Sequence, residues 1–172
     1  MPERDWERLG ALSEGWTARV LGVSPEGFGL LGAQQEPSEG DLLARLKARR
    51  ARLSRVGAGS LTTVWEGPGW VQALDCSGAV GALLVATLRP SGTGSDYHLW
   101  VSTDAGHTWE ARGPVRASSV TQVLAVGERE LWVLGVGDLG HSGDGGATWT
   151  EVHREGVRNP RLERLQIGRA HV

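Results

Sequence analysis

The sequence predicts an all-β chain of four-stranded antiparallel blades, a β-propeller with about three blades present and its ring incomplete. Three observations carry this. The pattern Ser-x-Asp-x-Gly-x-Thr-Trp occurs twice, at 102–109 and 142–149, with Asp104 and Asp144 forty positions apart. That period matches the ~40–45 residues of a four-stranded blade. Short apolar runs bounded by glycine and polar turns fill each period, as in an array of short strands. Composition agrees: 26 glycines and eight tryptophans stand beside one Phe and one Tyr.

The repeat can be followed strand by strand. Val71-Gln72-Ala73-Leu74 aligns with Val120-Thr121-Gln122-Val123-Leu124, and 82–86 with 130–134. The runs 98–103 and 140–142 then lead into the two Ser-x-Asp-x-Gly turns, and a last strand begins at each Thr-Trp pair. Helices of about ten residues, as βα units require, do not fit between these strands. The blade-like units are expected at about 10–66, 67–116 and 117–157, with another starting at 158–166.

The first unit is fainter. Residues 17–23 and 28–33 flank the turn Ser24-Pro25-Glu26-Gly27 and read as two strands. Residues 41–55 are rich in Leu, Ala and Arg, acidic at the start and basic towards the end, with Ser38 or Asp41 placed to cap a helix. A short helical insertion is the preferred reading there, and a degenerate strand pair the alternative.

At the ends, residues 5–9 resemble the last strand of a blade, and 160–165 the first strand of another. Propellers need roughly four to eight blades. The chain therefore reads as the N-terminal part of a longer protein, with 167–172 as a non-native tail against an ordinary natural C-terminus. Open blade edges in such a piece favour self-association, and a monodisperse monomer would contradict that expectation.

Each residue of the repeated turn has a structural task. Asp104 and Asp144 can accept hydrogen bonds from N–H groups further along the turn. Gly106 and Gly146 permit positive φ, and Ser102, Thr108, Ser142 and Thr148 satisfy remaining polar groups. Trp109 and Trp149 anchor the hairpins in the apolar layer between neighbouring sheets. These residues closely resemble the Asp-box, or BNR, repeat of sialidases, sortilin-type receptors and photosystem II assembly factor-like propellers. The resemblance spans roughly residues 60–165, and it implies a fold more than an activity.

Sialidases further imply three arginines gripping a carboxylate, a Tyr–Glu nucleophile pair, an acid Asp and an early Arg-Ile-Pro tripeptide. That tripeptide is missing, since Ile167 is the single Ile, and Tyr97, the single Tyr, reads as part of a polar turn. The expected function is therefore a non-enzymatic binding or assembly scaffold with a protein partner. The alternative is a sialidase-like glycoside hydrolase whose catalytic residues lie mostly in further C-terminal blades. The expected channel-lining residues are Gln72, Asp75, Thr121 and Gln122, and no catalytic residue is assigned.

Other features point to bland roles. A net charge of −2 gives no general reason to expect nucleic acid or membrane as partner. The six basic residues within 45–55 read as a solvated face. His98, His107, His141 and His153 lack metal-ligand spacing, so no metal or cofactor is expected. The segment 140–146, which superficially resembles a phosphate or metal loop, is accounted for by the repeated turn. Cys76, the sole cysteine, excludes an internal disulfide and reads as a buried small residue. The charged N-terminus lacks a signal-peptide core, so a cytoplasmic location is expected. Seventeen arginines against one lysine, with one Asn and one Ile, suggest a GC-rich bacterial genome.

Overall fold

The computed structural model describes residues 11–57, 59–115, 119–136 and 138–152. The strand expected at 5–9, the blade start at 158–166 and the tail at 167–172 lie outside these residues.

Among the described residues, three four-stranded antiparallel sheets follow one another, each with its strands in sequence order. Blade 1 holds β1 (Trp16–Val23), β2 (Gly29–Gln35), β3 (Arg50–Gly57) and β4 (Ser60–Pro68). Blade 2 holds β5 (Trp70–Ser77), β6 (Val80–Leu88), β7 (Ser95–Ser102) and β8 (Glu110–Val115). Blade 3 holds β9 (Gln122–Ala125), β10 (Leu131–Leu134), β11 (Leu139–Ser142) and β12 (Thr150–Glu151). β5 lies against both β1 and β9, so the first strand of each blade is its innermost. This is the radial order of a propeller, and three blades leave the ring open.

Alternation along the strands builds one apolar layer between each pair of blades. Leu30 and Leu53 of blade 1 meet Leu83 and Val85 of blade 2. Leu84, Leu99 and Val101 of blade 2 meet Val123, Leu131 and Val133 of blade 3. Burying each such side chain fully is worth about 1.5–3 kcal/mol. Gly22 of β1 faces Leu74 and Cys76 of blade 2. Its neighbours Leu21 and Val23 point to the opposite side and are 60% and 63% exposed. On β10 and β11 of blade 3, Trp132 stacks on His141 with ring centroids 4.3 Å apart.

The insertion expected at 41–55 is shorter than its composition suggested. Helix α1 covers Leu42–Lys47, capped by Asp41, whose Oδ1 accepts from the Ala44 N–H at 2.8 Å. From Arg50 onward the chain is strand. Ala51 and Leu53 are fully buried, while Arg50 and Arg52 bind Glu66 of β4 at 2.9 and 3.0 Å. The basic residues thus find their partner across the sheet, which makes a strand of a segment that reads locally as helix. Tyr97 is likewise in β7, buried in the layer shared with blade 3, and not in a polar turn. Among the described residues, no helix is long and apolar enough to cross a membrane.

Candidate functional site

The antiparallel topology sorts the connections to two ends of the blades. The β1–β2, β3–β4, β5–β6 and β9–β10 hairpins and both Ser-x-Asp-x-Gly turns lie at one end; α1, the loop between β6 and β7 and the short β10–β11 connection lie at the other. The two repeated turns have nearly identical geometry. Ser102 Oγ donates to Asp104 Oδ1 at 2.8 Å and accepts from the Gly106 N–H at 2.9 Å. Asp104 Oδ1 also accepts from the N–H groups of His107 and Thr108, and its Oδ2 from Thr108 Oγ1 at 2.6 Å. In the second copy Ser142 Oγ donates to Asp144 Oδ1 at 2.8 Å, and Thr148 Oγ1 donates to Oδ2 at 2.5 Å.

The hydroxyl of Thr108, followed by its N–H, holds the Asp104 carboxyl well below the usual carboxylate range. The same groups of Thr148 lower Asp144 to about 2. Hydrogen bonds to the charged form cause both shifts. Each turn is tied back to its own blade, by Ala105 N–H to Ala79 O and Gly145 N–H to Arg129 O, both at 2.8 Å. Trp109 packs into the layer between blades 1 and 2, and Trp149 into that between blades 2 and 3. Trp109 Nε1 donates to Gly106 O at 3.2 Å, whereas Trp149 Nε1 is buried with no hydrogen-bond partner among the described residues. Serine, aspartate and threonine of both turns hydrogen-bond within the turn, the two glycine N–H groups donate to the serines, and the tryptophans pack between blades.

Of the four expected channel-lining residues, Gln72 and Asp75 lie on β5, Gln122 on the adjacent β9, and Thr121 immediately before it. Gln72 Nε2 donates to Val120 O at 2.7 Å, and Asp75 Oδ2 accepts from the Ala125 N–H at 2.9 Å. Both side chains join blade 2 to blade 3 along their innermost strands. Thr121 Oγ1 donates to Leu134 O within its own blade, and Gln122 is half-buried on β9 opposite Leu134. On the other seam, Arg55 Nε donates to Ala105 O at 3.1 Å, and Ser24 Oγ to Gly78 O at 2.8 Å.

A site that sequence reading missed lies at the rim of the seam between blades 1 and 2. It is an open groove of about 320 Å³. Trp65 and Pro68 on β4 form one wall, and Ala111, Gly113 and Pro114 on β8 the other; Val85, Leu99 and Trp100 lie between. The rings of Trp65 and Trp100 are 5.2 Å apart and tilted by 57°. His98 and Thr87, the polar lining residues, contact each other at 3.1 Å. A second cavity of about 540 Å³ occupies the matching position between blades 2 and 3, and Pro114 borders both. The signal for the first groove was the pair of tryptophans at 65 and 100, on the fourth strand of blade 1 and the third strand of blade 2, but their meeting depends on how the blades stack.

No protein-family model matches the sequence, and no curated protein does either. Among solved structures the chain is similar to YCF48 bound to a D1 peptide, with a TM-score of 0.55 and 16% identity. That match covers 84% of this chain and 42% of YCF48. A protein of unknown function from Dyadobacter fermentans gives a TM-score of 0.53 at 17% identity, over 77% of this chain and 49% of that one. The α-L-arabinofuranosidase Arb93A from Fusarium graminearum, with an iminosugar inhibitor, gives 0.47 at 10% identity, over 84% and 50%. The chain thus spans half or less of each of these structures. The fold is that of an incomplete β-propeller.

Proposed function

We propose that the protein is a non-enzymatic scaffold that binds an extended segment of a partner protein, with the groove between blades 1 and 2 as a contact site. The groove carries the reading: two tryptophans, two prolines and aliphatic side chains surround a concave space with few polar groups, as peptide and small-molecule sites do. YCF48, which shares the fold, is seen with a peptide, which supports the same reading. We take the two repeated turns as Asp-boxes with a purely structural role. Their carboxyls are held charged by donated hydrogen bonds. A general acid near neutral pH needs the opposite shift.

The test is selection of a random dodecapeptide phage library on the protein, followed by affinity measurement for the enriched peptides. Enrichment of apolar peptides that bind Ala111→Arg at least roughly tenfold more weakly supports the reading. Ala111 is exposed on the rim, so the substitution blocks the groove without entering the core. Recovery of no peptides would count against it. Turnover of a fluorogenic sialoside would refute the non-enzymatic claim.

A further inference from the structure

We infer that the free edge of β4 and the groove beside it form one site, which binds an extended apolar peptide by adding it to blade 1 as a fifth strand. This rests on the peptide-binding reading and specifies its geometry. β4 is the last strand of its sheet, and among the described residues no strand pairs with its far edge. Among the described residues it runs for nine residues, against six in β8 and two in β12, so it offers the longest described outer edge. An unpaired edge presents a row of donors and acceptors that can template another strand, and proteins usually blunt it. Here Pro68 stands at the last position of β4, leaving the N–H groups of the preceding residues in place.

The groove is the solvent end of the interface between blades 1 and 2. Val85, Trp65 and Trp100 line it and also belong to the apolar layer between those blades. A strand laid beyond β4 would extend that layer outwards over Ala111, Gly113 and Pro114 of β8. Its alternate side chains would drop into the groove, and those between would face water. Gly67 shapes the wall, because a Cβ there would lie 2.7 Å from the Trp65 indole. The ring therefore lies back along β4. The lining holds no Asp, Glu, Arg or Lys. An unpaired charge buried there would be penalised, so the groove-facing side chains of the ligand are bulky and uncharged.

The probe is acetyl-Thr-Val-Thr-Phe-Thr-Val-Thr-amide, with two analogues N-methylated on alternate sets of amides. In strand addition alternate amides face the host edge. One analogue should therefore bind roughly tenfold or more weakly than the parent, and the other should bind like it. Hydrogen exchange by NMR should show slowed amides in β4 when the parent binds, and Ala111→Arg should weaken it by about tenfold or more. No binding of the probe, equal binding of both analogues, or protection elsewhere with β4 unchanged would each overturn the inference. Protection elsewhere leaves the peptide-binding reading standing; that reading falls separately, if the library selection yields no peptides.

Discussion

Gly146 stands at φ 91°, and a Cβ there would come 2.6 Å from Leu99 Cδ2 of the preceding blade. Gly106 repeats this against Leu30, at φ 80° and 2.8 Å. The glycine of the repeated turn thus serves both the turn and the close approach of two blades. Gly146→Ala should lower the unfolding free energy by about 2–3 kcal/mol, from left-handed strain and overpacking together, as chemical denaturation would measure. The turn carboxylates set an acid limit. Asp144 titrates at about 2 when folded against an ordinary 3.8, so it contributes stability above pH 3.8 that is lost as pH falls from there towards 2. Asp104 is lowered further and extends the loss to still lower pH. Asp144→Asn should flatten the fall in thermal midpoint between pH 4 and 2, and an unchanged slope would contradict this assignment. The turns were legible in the sequence because every partner of Asp104 and Asp144 lies within four positions of it.

At the scale of elements, legibility tracks how far away a segment's partners are. α1 was readable where Asp41 caps its own helix. β3 was not, because Arg50 and Arg52 are matched by Glu66, sixteen and fourteen positions away, and because Ala51 and Leu53 show an alternation too brief to stand out among basic residues. Burial tends to raise the Glu66 carboxyl, but Arg52 and Arg50 outweigh it and hold it low, so the two strands stay locked in charge at neutral pH. Gln72 and Asp75 were located on the correct strand, yet their partners belong to blade 3 and no local pattern announces them. Asp75→Ala removes the acceptor for the buried residue Ala125's N–H. It should cost about 1–3 kcal/mol and speed hydrogen exchange in β9 more than in β2. Equal acceleration in both strands would mean that the seam contact is not local to blade 3.

At the scale of the whole molecule, three blades stacked on two apolar layers create the groove as a by-product of packing. Trp65 and Trp100 belong to different sheets, and neither shows in sequence that it will wall a site with the other. The stacked blades leave Leu21 and Val23 exposed on the outer side of blade 1. Leu21→Ser with Val23→Thr should therefore reduce concentration-dependent self-association, measurable by sedimentation, with little change in thermal midpoint. The central claim, that the protein is a peptide-binding scaffold working through the seam between blades 1 and 2, is tested most directly by calorimetric titration of a library-selected peptide into the wild-type protein and Ala111→Arg. The account predicts roughly tenfold or greater weakening in the variant with an unaltered thermal midpoint; equal affinity for both proteins would contradict it.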